Sequence, residues 1–344
     1  MDLDDLKRRL QDHFSDGLVT IVGSGLSVAE GIPGMGKLAK HLLAEVPGRI
    51  PDGSKALWGS ISSDLIADVD LESALLKNRP DDHIESSIVD LTAHFILDAE
   101  TRVVEELTAG SRVLRFTRLL PQMLKPDTGI PIITTNYDRL LEIAIEKAGL
   151  SVNTLFVGHH FGRLDAESAH LTMCKSLTKF KGKQFLKLSA HAVVLKPHGS
   201  LDWYMHDADP IRCPLPLSLQ RLIITPGLNK FRGGYNRPFD SHRERANREI
   251  DRATRFLIVG YGFRDEHLQT HLEPELKKGK PALLLTHSLT SRAGELLSEC
   301  SRMIALCADT TKDGTRVITR DNSEFFPGIS LWDLDGFVKG VFEV

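Results

Sequence analysis

Leu18-Val19-Thr20-Ile21-Val22-Gly23-Ser24-Gly25-Leu26-Ser27-Val28-Ala29-Glu30-Gly31-Ile32-Pro33 carries the fold class of this chain. It opens on a nearly unbroken apolar run, which is how a strand covered on both faces reads. Glycines at 23 and 25 then turn the chain tightly, a shape suited to wrapping a pyrophosphate. The usual Gly-x-Gly-x-x-Gly fingerprint is incomplete, because Val28 stands in the third glycine position. An acidic ribose ligand should end a second strand about 20 residues further on. That region here is Leu42–Pro47, which reads as a helix end.

Further along the chain, two phrases put uncommon polar groups at strand ends: Thr134-Thr135-Asn136-Tyr137-Asp138 and Lys196-Pro197-His198-Gly199-Ser200. Open α/β sheets gather ligands at such ends. Strands are expected at 18–22, 130–134, 154–157, 192–196, 221–225, 255–259, 282–286 and 303–306. Helices are expected at 2–14, 37–44, 139–147 (closed by Gly149), 240–253, 265–278 and 291–298. The alternation predicts an α/β fold, a Rossmann-like, mostly parallel sheet with helices on both faces. Between 47 and 126 helical spacing dominates, as in Leu71, Leu75, Ile84, Ile88, Leu91 and Phe95. The expected organisation is therefore a sheet domain of residues 1–46 and 127–344 with a helical insertion at 47–126. Residues 158–184 read as a long loop or a small subdomain.

Composition sets limits. The chain has 344 residues, 41% hydrophobic and 26% charged, with net charge −3. That balance argues against nucleic-acid binding by bulk charge, while leaving room for a local patch. No apolar run approaches the ~20 residues of a membrane helix, and the acidic start Met1-Asp2-Leu3-Asp4-Asp5 is unlike a signal peptide. A cytoplasmic, membrane-free protein is expected. Cys174, Cys213, Cys300 and Cys307 form no Cys-x-x-Cys pair, so no metal is expected. His159-His160 and His206-Asp207-Ala208-Asp209 fit surface loops better than a metal site. The basic stretch from Lys230 and Arg232 through Arg237, Arg243, Arg245, Arg248, Arg252 and Arg255 reads as a solvated helix face, with a phosphate contact from Lys230 or Arg232 left open.

The long string Gly-Ser-Gly-x-Ser-x-x-x-Gly-Ile-Pro resembles the phosphate loop of the Sir2 (sirtuin) family. Thr134–Asp138 is similar to that family's Thr-Gln-Asn-Ile-Asp, Pro197–Ser200 to its His-Gly element, and Ile258–Gly262 stands where it has Val-Gly-Thr-Ser. The resemblance implies an NAD⁺ site in which Gly23, Ser24, Gly25 and Ser27 line the phosphate turn and Ile32 lies near the nicotinamide. Asn136 and Asp138 would face the nicotinamide ribose and carboxamide, and His198 would be the catalytic histidine. Gly260, Tyr261 and Gly262 would lie against the adenosine half. The chemistry suits the pair: nicotinamide leaves as a neutral group from a cationic one, so orientation and a nearby base matter more than a strong acid. Plainer readings stand beside these: Asn136 as a helix N-cap, Asp138 as a first-turn carboxylate, His198 as a turn residue, Tyr261 as packing.

Departures from the family bear on the reaction. Deacylating sirtuins follow Gly-Ile-Pro with Asp-Phe-Arg, whereas this chain has Gly34-Met35-Gly36, and the paired-cysteine zinc module is missing. Thr-Thr-Asn-Tyr-Asp and Gly260–His267 are similar to the bacterial Sir2-like branch of anti-phage systems. That likeness implies NAD⁺ hydrolysis to nicotinamide and ADP-ribose, with NAD⁺ as substrate. It also implies a homo-oligomer or a separately encoded partner of ATPase or nuclease type. A protein deacylase or a non-catalytic NAD⁺/ADP-ribose sensor are the alternatives.

Overall fold

The computed structural model describes residues 2–225 and 237–343. Helix α1 (Leu3–Asp12) starts on an Asp2 side-chain cap and leads into β1 (Leu18–Val22). A run of helices comes before the next strand: α2 (Ser24–Ala29), α3 (Met35–Glu45), α4 (Asp52–Ile66), α5 (Leu71–Lys77), α6 (Asp82–Thr108) and α7 (Arg115–Leu119). After β2 (Ile130–Thr134) come α8 (Leu140–Lys147) and β3 (Ser151–Asn153). The chain then builds β4 (Phe156–Val157), β5 (Gly162–Leu164), α9 (Ala166–Leu171) and a hairpin of β6 (Cys174–Phe180) and β7 (Lys183–Leu188). It returns through β8 (His191–Leu195), β9 (Gly199–His206), β10 (Asp209–Arg212) and β11 (Arg221–Ile223). The last part alternates α10 (Phe239–Arg252), β12 (Arg255–Val259), α11 (Glu266–Lys277), β13 (Ala282–Thr286), α12 (Ser291–Glu299) and β14 (Met303–Ala308). It ends with β15 (Gly314–Ile318), β16 (Ser323–Pro327) and α13 (Leu334–Val341).

The large sheet has the order β16-β15-β14-β13-β12-β1-β2-β8-β3, parallel from β14 to β3 and antiparallel at β15 and β16. Its central strands β13, β12, β1, β2 and β8 are largely apolar because each face meets helices. In β12, Leu257 and Val259 join the core shared with α1, α6, α7, α8 and α13, while Phe256 and Ile258 join the core shared with α10, α11 and α12. The fold is therefore the expected α/β class. Helices α3 to α6 also enclose a separate apolar cluster, including Leu38, Leu42, Trp58, Ile61, Leu75 and Ile88.

Two local expectations give way. The strand expected at 154–157 is broken: β3 ends at Asn153, and Leu155 takes a positive φ of 63° before β4 begins in another sheet. The strand expected at 221–225 exists as β11, but it pairs antiparallel with β9 in a five-stranded sheet β11-β9-β10-β5-β4. Of the two readings of residues 158–184, the small subdomain agrees with the structure, which has β5, α9, β6 and the start of β7 there. Lys230 and Arg232 lie outside the described residues.

Candidate functional site

Strand order reverses beside β1: the chain proceeds to β2 and β8 on one side and to β12, β13 and β14 on the other. Crossovers leave in opposite directions there, and the carboxyl ends of β1 and β12 open a crevice. A cavity of about 700 Å³ fills it.

Its floor is made by glycines. The Gly23 N–H donates to Val259 O at 2.9 Å and the Gly25 N–H to Gly260 O at 2.9 Å. A Cβ at residue 23 would lie 2.5 Å from the Gly260 carbonyl oxygen, and one at residue 25 would lie 2.6 Å from the Gly260 Cα. Gly260 itself has φ +58°, and its Cβ would meet the Leu26 nitrogen at 2.6 Å. The β1–α2 turn and the β12 end thus touch backbone to backbone. Both glycine N–H groups are spent on this contact, so they do not face the cavity as anion donors. Ser24 and Gly25 line the wall, while Gly23 does not.

Asn136 comes just after β2 and turns its amide onto α2. Its Nδ2 donates to Gly23 O at 2.9 Å and to Ser27 Oγ at 2.8 Å, and Ser27 Oγ in turn donates to Asp138 Oδ2 at 2.7 Å. Both amide N–H groups are engaged, so Asn136 offers a ligand its carbonyl oxygen. The helix N-cap reading of Asn136 fails, since α8 begins at Leu140 after Arg139. Asp138 does serve the helix, its Oδ1 accepting from Leu140 N at 3.2 Å. The adjacent Arg139 is held by Glu100 of α6, with Nε donating to Oε1 at 2.9 Å. Burial pushes the Glu100 carboxyl up, against the pull of that guanidinium.

His198 sits after β8, and its Nε2 meets Asp265 Oδ2 in direct contact. The other Asp265 oxygen caps α11, accepting from Leu268 N at 2.9 Å. Lys196, two residues before His198, is wholly buried. Its Nζ donates to Asp138 O at 2.5 Å and Tyr137 O at 3.3 Å, and pairs with Glu142 Oε1 at 3.1 Å. The β9 sheet adds stitches, from Leu201 N to Tyr137 O at 3.0 Å and from Ile224 N to His198 O at 2.9 Å. One lysine and two backbone bonds therefore hold the Asn136 and His198 turns together.

Ser27, Ile32, Asn136, Asp138, His198, Gly260, Tyr261 and Gly262 all border the one cavity. Tyr261 is buried against Phe263, ring centres 5.2 Å apart, and burial pushes its hydroxyl well up. Asp265 was not among the residues expected; its signal lay in the Gly260–His267 phrase, where Asp265-Glu266 reads as a helix start. A second unexpected group is Glu30, buried on the loop after α2. It accepts from Arg115 N at 2.7 Å, and Arg115 Nε reaches Asp333 Oδ2 at 2.9 Å. Burial raises the Glu30 carboxyl, opposed by Arg115 and Arg112.

The fold and crevice define an open α/β protein whose ligand site lies where the strand order reverses. Residues 131–295 match the family model of the SIR2-like domain. Among curated proteins, none matches the sequence. Similar solved structures include a point mutant of a Sir2 homologue in complex with ADP-ribose, at 16% identity and TM-score 0.42 over 100% of this chain and 97% of that one. A triple mutant of Sir2 homologues with 2′-O-acetyl ADP-ribose has 15% identity and TM-score 0.40 over the same shares. A structure described as the basis of sirtuin substrate affinity has 15% identity and TM-score 0.41 over 85% of this chain and 90% of that one.

Proposed function

We propose that this protein is an NAD⁺ glycohydrolase that cleaves NAD⁺ to nicotinamide and ADP-ribose. One observation carries the reading: in a cavity sized for a dinucleotide, the free carbonyl of Asn136 shares a wall with a histidine whose Nε2 is held by a carboxylate. In this reading His198 presents Nε2 to Asp265 and keeps Nδ1 as the atom that takes a proton. In the reaction, the bond between the ribose C1′ and the nicotinamide nitrogen breaks, and its electron pair leaves with nicotinamide. Water adds to C1′, oriented by the Asn136 carbonyl, and gives its proton to His198 Nδ1. Among the described residues, Arg264, exposed on the cavity rim, is a cation available to the pyrophosphate, since Arg115 is already shared between Glu30 and Asp333.

The residues after Pro33 favour hydrolysis over acyl transfer. Gly34 caps α3, and Met35, 43% exposed, lines the cavity where an aromatic lid would exclude water. The physiological role we propose is NAD⁺ depletion in the cytoplasm during phage infection, restrained by self-assembly or by an ATPase- or nuclease-type partner. This role rests on the sequence resemblance alone.

The test is product analysis. Purified protein, alone and with its neighbouring gene products, should release nicotinamide and ADP-ribose from NAD⁺ without acylated peptide. A strict requirement for acyl-lysine peptide would establish a deacylase instead, and tight binding without products would establish a sensor. Survival of phage-challenged cells carrying wild type or His198→Ala tests the role; equal protection by both removes it.

A further inference from the structure

The β6–β7 hairpin contributes no residue to the cavity. It forms its own two-stranded sheet, closed by a tight turn in which Lys181 and Gly182 have φ of 48° and 78°. Such a ribbon has little stability of its own in water, so its composition needs a reason. Residues 174–188 contain five lysines (175, 179, 181, 183 and 187) and no carboxylate, in a chain of net charge −3. All five are exposed, and Lys175, Lys179, Lys183 and Lys187 form no ion pair among the described residues.

The register distributes them. Leu177 pairs with Leu186 and Lys179 with Gln184, placing these side chains on one face. Thr178 pairs with Phe185 and Ser176 with Lys187, placing those on the other, with Lys183. Each face therefore carries lysine beside an exposed apolar residue: Leu177 is 64% exposed and Phe185 49%. The hairpin is joined to the start of β8, and His198 lies just past the end of the same strand, so arm and cavity lie at opposite ends of the sheet.

We propose that this hairpin is an arm that binds double-stranded nucleic acid. A two-stranded ribbon fits the major groove, whose two rims are phosphate backbones. Lysines on both faces would meet both rims, while Leu177 and Leu186, which share one face, look toward base edges and methyl groups and Phe185 stays on the opposite face. The arm has no arginine for the forked contact that reads guanine, so binding is governed by phosphate and not by sequence. Net charge hides such a patch, because the acidic remainder of the chain outweighs it.

The experiment is fluorescence anisotropy of labelled duplex DNA, in two unrelated sequences, titrated with the full chain. Four to five neutralised phosphates give a slope of log K against log salt of about −4, hence affinity ~250-fold weaker at about 200 than at about 50 mM KCl. The two duplexes should bind alike. Replacing Lys175, Lys179, Lys183 and Lys187 by Gln should abolish binding, and replacing them by Arg should preserve it. Neither variant should alter nicotinamide release or the circular dichroism spectrum. No binding at about 50 mM KCl, undiminished binding by the Gln variant, or equal affinity for a single strand of the same length would overturn the assignment. So would lysine-dependent self-association in sedimentation with no duplex bound.

Discussion

The two ends of β8 carry opposite kinds of surface, though the strand is only 5 residues long. At its carboxyl end, nearly every polar atom near His198 is committed: Lys196 to two carbonyls and Glu142, Asp265 to the imidazole and a helix cap, Ser27 to Asn136 and Asp138. At its amino end the hairpin exposes its lysines to solvent. Preorganised groups suit chemistry, where reorganisation during reaction is costly. Solvated charges suit encounter with a polyanion, where counterion release supplies the free energy.

The contrast is tested most severely at the reacting pair. Either Asn136→Ala or His198→Ala should lower nicotinamide release ~10²–10⁴-fold while far-UV dichroism and elution volume stay unchanged. Retained rates would move the chemistry away from this wall. Next comes Lys196→Met, which strands Glu142 in the core and should cost about 3–5 kcal/mol by urea denaturation. Adding Glu142→Leu should recover much of that; a single variant as stable as wild type would deny the cross-tie its role.

Asp265→Asn should give a smaller loss of rate. The amide oxygen keeps the α11 cap, so stability should change by no more than about 1 kcal/mol. The reduced Asp265 effect should appear in kcat more than in KM, because the imidazole and not the substrate is what it holds. A change confined to KM would place Asp265 against substrate.

A gentler effect concerns pH. Burial lowers His13 from 6.5 to about 4, with its Nε2 2.9 Å from Phe256 O, and lowers the wholly buried His242 to about 3. Both are protonated more readily when unfolded. Their stabilising contribution is therefore complete above pH 6.5 and is lost as pH falls from there toward 4. Each contributes up to about 1.4 kcal/mol per pH unit in that window. Denaturant midpoints at several pH values should show the decline, and His13→Gln should flatten it by up to one proton. An unchanged profile in that variant would mean His13 is protonated in the fold.

Much of this architecture was legible in the chain. Apolar runs such as Phe256–Val259 have only one reading once both faces are covered, and ten of the eleven expected site residues border one cavity. The five-stranded sheet was not legible because β9 mixes Asp202, Trp203 and Tyr204 in a fully buried run without clean alternation. Its β10 partner carries Asp209 and Pro210. The His198–Asp265 contact joins residues 67 positions apart (265 less 198), which no local pattern encodes. The backbone contact made by the Gly23 and Gly25 N–H groups was not legible, because a glycine permits close approach of any backbone, whether from a ligand or from the neighbouring β12 turn.

That interlock constrains anyone mutating the protein at random. Positions 23, 25 and 260 behave as a single three-letter word, since a methyl group on any one collides with main chain that no side-chain rearrangement can move. A library should hold all three constant and spend its diversity at Val28, 48% exposed in the slot where other dinucleotide proteins keep their third glycine.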